Sequence, residues 1–227
     1  MRRRYRWVRR NVDRIRVAGR PKIFVIGLNK TGTTTMAKAL SDLGFVVASE
    51  REAKSLFHYW VERDFKPIIK FCKSAQAFQD SPFSFPDTFI ALDRAFPGSK
   101  FILTVRDDEH QWYRSITQFH SKLWGNGDGT PPTKFQLQAA FNSYKGRPWD
   151  VNQALFQAPD DDPYNQEILK DFYIKYNKSV IDYFNGRSED LLVVNVAEDG
   201  AYQKFIDFLQ IDSPDRSANE FPWENKT

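Results

Sequence analysis

The sequence predicts an α/β domain in which a parallel sheet carries helices on both faces. Three observations lead there. Short apolar runs rich in β-branched residues stand at 22–27, 100–105 and 191–196. Amphipathic helical patterns alternate with them, the rhythm of βα units rather than of hairpins. The first run also passes through a Gly-containing turn directly into a helix.

Taken in order, Lys22-Ile23-Phe24-Val25-Ile26-Gly27 reads as a buried strand ending in glycine. Met36, Ala39, Leu40 and Leu43 then recur at helical spacing, and Gly44 is placed to end that helix. Phe45–Ala48 is expected as a second strand, and 50–75 has mixed helical character. Pro86 precedes a helix over Asp87–Phe96 that Pro97-Gly98 closes, and Lys100–Val105 is the next strand. A helix opens near Asp108, which with Gln111 makes a variant capping box, and Trp112, Ile116, Phe119 and Leu123 give it an apolar face. Residues 125–133, rich in Gly and Pro, are a loop. Asp162-Pro163 begins a long helix through Leu169, Phe172, Tyr176, Val180 and Phe184, ended by Asn185-Gly186. Leu191–Val196 is the third strand, and Tyr202, Phe205, Ile206 and Leu209 mark a last helix. The stretch 117–160 breaks this rhythm and is expected to be a cap or substrate-facing insertion within one domain spanning 21–227.

Composition narrows the class. With 20 Phe, 9 Tyr and 6 Trp in 227 residues and near-balanced charge, the chain has the bulk for a core and is not intrinsically disordered. No apolar stretch approaches the ~20 residues that cross a bilayer. The single cysteine, Cys72, makes no internal disulfide and fits a reducing compartment; a soluble, cytoplasmic protein is the expectation. Nine arginines and one aspartate give residues 1–20 a net +8, so the rest carries −4 of the total +4. A basic arm on a mildly acidic body is therefore the pattern, not a nucleic-acid-binding domain. The arm reads first as solvated, and second as touching an anionic membrane surface, RNA or the protein's own polyanionic ligand.

Ligands of such sheets bind outside the carboxyl ends of the strands, so chemistry is sought just after Ile26 and Val105. The first of these places holds Gly27-Leu28-Asn29-Lys30-Thr31-Gly32-Thr33-Thr34-Thr35, running into a helix. Backbone N–H groups at a Gly-containing turn and helix start point at an anion; Lys30 adds a charge and the threonines add hydroxyls. A nucleoside-triphosphatase loop would place lysine after the second glycine, where Thr33 stands, which counts against a kinase or ATPase. The second place holds Arg106 at a strand end and Ser115 in the following helix, a guanidinium and a hydroxyl suited to a phosphate.

Lys-Thr-Gly-Thr-Thr after a strand resembles the 5′-phosphosulfate loop of sulfotransferases that use 3′-phosphoadenosine 5′-phosphosulfate (PAPS). Arg106 and Ser115 match that family's 3′-phosphate pair, an arginine and a serine nine residues later. The resemblance covers 22–44 and 80–116, and more loosely 191–210. It implies a P-loop-like α/β fold, PAPS as donor, adenosine 3′,5′-bisphosphate (PAP) as product, and an acceptor hydroxyl or amine on a small molecule or glycan. It assigns donor binding to Lys30, Thr31, Gly32, Thr33, Thr34, Thr35, Arg106 and Ser115. The glycine-rich C-terminal motif of the cytosolic branch is missing; Phe221-Pro222-Trp223-Glu224-Asn225-Lys226 offers an aromatic and a cation instead.

Sulfuryl transfer needs charge stabilisation at the leaving phosphate oxygen and a base for the acceptor's proton. Lys30 is assigned the first role. For the second, Asp80 stands where many family members carry histidine, with a turn or cap before Ser81-Pro82 as its structural alternative. Glu50 and His58 are reserves, whereas His110 and His120 read as surface or packing residues. No metal is expected. Phe57, Tyr59, Trp60, Phe83, Phe85 and Trp124 are open between acceptor pocket and core. A kinase with a degenerate loop, and a non-catalytic polyanion- or nucleotide-binding module, are the competing readings.

Overall fold

The structure, a computed structural model, describes residues 14–211 and 220–222. Most of the basic arm, residues 1–13, and the tail from Trp223 onward lie outside the described residues, and with them the expected membrane contact.

Four parallel strands form the central sheet: β1 (Ile23–Val25), β2 (Ala77–Phe78), β3 (Lys100–Thr104) and β6 (Leu191–Val194), in the order β2-β1-β3-β6. A small antiparallel hairpin, β4 (Phe141–Asn142) and β5 (Tyr144–Lys145), stands apart. The helices are α1 (Thr33–Asp42), α2 (Glu50–Ala53), α3 (Phe57–Val61), α4 (Lys66–Phe71), α5 (Thr88–Ala95), α6 (Glu109–Trp124), α7 (Lys134–Ala139), α8 (Arg147–Phe156), α9 (Gln166–Tyr183) and α10 (Ala201–Leu209).

Side chains alternate across a strand, so each strand feeds two cores. Phe24 pairs in register with Phe78 on one side and Phe101 on the other, and each pair of rings stacks with centroids 5.3 Å apart. These rings meet α5, α6 and α9 through Phe89, Trp112 and Val180. On the opposite face Ile23, Val25 and Ile102 pack against Met36 and Leu40 of α1 and Phe205 of α10. Helices on both faces are thus a consequence of apolar residues on both faces of β1 and β3.

Two expectations are corrected. The strand beside β1 is Ala77–Phe78, not Phe45–Ala48; the latter makes only one bridge, Val47 to Ala77, at the sheet's edge. The long helix starts at Gln166 rather than at Asp162-Pro163, because the Asn165 side chain accepts from the Ile168 N–H and caps it there. The helix α6 runs unbroken to Trp124, so irregular chain begins at Gly125.

Tyrosines of α9 fasten the strand ends where the ladder stops. Tyr176 donates to the Ile26 carbonyl at 2.6 Å, and Tyr173 accepts from the Arg106 N–H at 2.9 Å. Buried backbone groups need such partners, and long aromatic arms reach them from a helix. Gly27 has no room for a side chain: a Cβ there would stand 2.0 Å from the Thr104 hydroxyl and 2.5 Å from its carbonyl oxygen. The first loop is held tight against β3 for this reason.

Candidate active site

The chain after β1 folds as an anion cradle. Thr31 is fully buried; its hydroxyl donates to the Leu28 carbonyl at 2.6 Å and meets the Thr104 hydroxyl at 2.6 Å. Its side chain pins the loop to β3 and does not face the cavity. Trp112 adds a second pin, donating to the Asn29 carbonyl at 3.0 Å. Lys30 sits between these pins with φ 73°, in the left-handed region that costs a non-glycine residue about 1–3 kcal/mol. Gly32, at φ 105°, starts α1; that helix has no side-chain cap and no acidic residue in its first turn. Its first amides and the positive end of its dipole are therefore left for an anion. Lys30, Gly32, Thr33, Thr34 and Thr35 all line a cavity of about 270 Å³.

Arg106 enters the same cavity from the end of β3. Its Nε donates to the Lys30 carbonyl at 2.6 Å, which leaves its terminal nitrogens without a partner among the described residues. The neighbouring acids are occupied elsewhere. Asp107 accepts from Asn195 and Gln111, and Asp108 caps α6 by accepting from the Gln111 N–H at 2.6 Å. Arg106 therefore makes no strand-end ion pair with either. Ser115 does not line the cavity, and its hydroxyl is buried with no partner among the described residues. Burial depresses the Lys30 ammonium below its ordinary pKa, and the Arg106 and Lys122 cations depress it further. The cradle is short of negative charge.

Across the cavity stands a carboxyl pair. Asp80 follows β2 with φ 62°, and its Oδ1 accepts from the Ser81 N–H at 2.7 Å. Its carboxyl lies within hydrogen-bonding reach of Glu50, at the start of α2. Burial and the Glu50 charge push Asp80 up to about 6. For Glu50 burial acts upward, but hydrogen bonds from Lys54, Asp80 and Gln79 outweigh it and hold the group below the usual range. Lys54 reaches one Glu50 oxygen at 2.5 Å, and the Gln79 amide donates to the other at 3.4 Å. Below about pH 6 the pair thus carries one shared proton, held chiefly by Asp80, and near neutrality it has largely given that proton up.

The remaining wall is apolar. Phe85 of the open group and Trp124 line it, with Phe119, Leu155 and Phe156. Phe57, Trp60 and Phe83 are core, and Tyr59 lies along a separate groove. His58 is exposed and away from the cavity, whereas Glu50 stands beside Asp80. His120, read as surface or packing, lines the cavity, its Nδ1 2.8 Å from the Tyr164 hydroxyl; burial and then Lys30 push it down to about 3, so it is neutral. Phe221 closes one side, packed on Tyr202 and Phe205. Arg147 also lines the cavity and had no signal in the sequence. Among the described residues no group of three His, Cys, Asp or Glu side chains is arranged to hold a metal ion, and no helix is long and apolar enough to cross a membrane.

The geometry can be set against known proteins. Curated proteins yield no match. A family model described as a sulfotransferase domain matches residues 22–227, all but the first 21 residues of the sequence, and the chain belongs to that sulfotransferase family.

Proposed function

We propose that the protein transfers a sulfuryl group from PAPS to the hydroxyl or amine of a small acceptor with an apolar body. One observation carries this reading: a single cavity holds an uncapped helix start with Lys30 and Arg106 on one side and a proton-sharing carboxyl pair on the other. The cradle supports a dianionic or more highly charged donor, since each anionic oxygen relieves repulsion among Lys30, Arg106 and Lys122. The partnerless Ser115 hydroxyl and the free end of Arg106 suit a second phosphate group.

In the transfer, the bond between sulfur and the donor's phosphate oxygen breaks as a bond from sulfur to the acceptor atom forms. Lys30 neutralises the charge that grows on the departing oxygen. The acceptor's proton passes to the Glu50–Asp80 pair, which needs to have lost its shared proton beforehand. Phe119, Trp124, Leu155 and Phe156 favour an acceptor with an apolar body. The lone, buried Cys72 suits a reducing compartment such as the cytoplasm.

Calorimetry with PAP and AMP tests the donor assignment. PAP is expected to bind far more tightly than AMP. Arg106→Ala should weaken PAP by about 10- to 150-fold, as expected for a charge-assisted contact of ~1.5–3 kcal/mol, and leave AMP nearly unchanged. Equal affinity of the wild type for both nucleotides overturns the 3′-phosphate reading. Equal losses for both in the variant would instead trace the effect to the Arg106–Lys30 loop contact.

A further inference from the structure

Arg147 is the most deeply buried cation facing the cavity and has no part in the steps above. It opens α8, in the segment between α6 and α9, yet only 3 % of its surface is exposed. A guanidinium so placed needs compensation, and among the described residues it has no ion pair with a carboxylate. Its Nη2 donates to the Ser81 hydroxyl at 2.7 Å, its plane lies 5.5 Å from the Phe57 ring centroid, and its Nε has no partner. Ser81 is the residue whose N–H donates to Asp80 at 2.7 Å. A contact chain therefore runs Arg147, Ser81, Asp80, and it ends on an aspartate held in the left-handed region.

The charges around the carboxyl pair come from two directions. Lys54, from the turn after α2, is bound to Glu50. Arg147, from α8, feels Asp80 most strongly, then Tyr144, Glu50 and Asp150. Lys54 acts on both carboxyls, and Arg147 adds a second cation on the Asp80 side through Ser81. The helix that carries Arg147 also supplies Val151, Leu155 and Phe156 to the apolar wall. One element shapes the acceptor's space and reaches the carboxyls.

We propose that Arg147 is a positioning residue for the proton-accepting carboxyls: through Ser81 it fixes Asp80 against Glu50, and its charge helps the pair give up the proton they share. The inference rests on the reading of Asp80 and Glu50 as the proton acceptor, and the two can fail separately.

The test uses the full chain with 13C-labelled Asp and Glu carboxyls, titrated by NMR without donor, beside the pH profile of turnover. Arg147→Met removes the charge and keeps the bulk; Ser81→Ala cuts the link and leaves the charge. In Arg147→Met the upper midpoint of the pair should rise by about one pH unit, the usual size of a lost neighbouring charge. Ser81→Ala should shift it the same way by less, and PAP affinity should stay at the wild-type value in both. If Arg147→Met does not fold, Ser81→Ala alone decides. An unchanged carboxyl titration in the folded variants overturns the inference. A shifted titration with an unshifted turnover profile upholds Arg147's hold on the pair and overturns the pair's role as base.

Discussion

Lys30→Met is expected to lower sulfuryl transfer by about 10²–10³-fold, the loss seen when one preorganised charge-stabilising donor is removed. The fold should survive. The Lys30 ammonium lies 4.0 Å from the Phe119 ring centroid and makes no hydrogen bond or ion pair among the described residues, so only a cation–π contact of ~0.5–1 kcal/mol is lost. That loss is offset because the ammonium is itself depressed by burial and by Arg106. The melting temperature of the apo protein should therefore be unchanged or slightly raised, while PAP should stabilise the variant less than the wild type. Activity retained at the wild-type level in a folded Lys30→Met protein would place leaving-group stabilisation on other residues.

Asp80→Asn is expected to cut turnover by about 10²–10⁴-fold and to leave PAP affinity intact. Asparagine tolerates the left-handed backbone at this position and keeps an oxygen for the Ser81 N–H, so it imitates the protonated aspartate permanently. Its effect on stability has a defined sign. The folded state raises Asp80 from 3.8 to about 6 and so binds its proton more tightly than the unfolded chain does. Stability is then lost as pH rises across that window, and the penalty is complete above it, on the order of 2–3 kcal/mol. Asp80→Asn should accordingly be more stable than the wild type at pH 8 and equal to it near pH 4. An aspartate that merely capped a turn would show the reverse: a loss of ~0.5–2 kcal/mol and near-normal turnover. In the wild type, turnover should fall below about pH 6 as the pair regains its proton.

The features that the sequence made legible share a physical cause. Strands at 23–25 and 100–104 announce themselves because a central parallel strand is covered on both faces and so reads as an apolar run, and 191–194 is legible from its own Leu-Leu-Val-Val although it lies at the sheet's edge. Ala77–Phe78 is two residues long between Gln76 and Gln79, too short for any periodicity, and the more apolar Phe45–Ala48 drew the assignment away. The anion cradle was visible because its work is done by local chain: a glycine that must be one, a lysine and a helix start within nine residues. The acceptor side is assembled from distant segments. Glu50 and Asp80 meet across 30 positions, and Arg147 reaches Ser81 across 66. Nothing in the immediate sequence of Arg147 marks it as buried. His120 reads as a helix-surface residue because its helical face is mixed; only the contact with Tyr164, 44 positions on, holds the half-buried ring at the cavity wall.

Transfer of labelled sulfate from PAPS is the most direct measure of the central claim. The wild-type protein would be incubated with sulfur-labelled PAPS and a panel of small alcohols, phenols and amines, beside oligosaccharides, with ATP as the alternative donor. The account predicts label on a small apolar acceptor, an equal amount of PAP released, and neither product with Lys30→Met. Phosphoryl transfer from ATP to the same acceptors, with no label moved from PAPS, would contradict it.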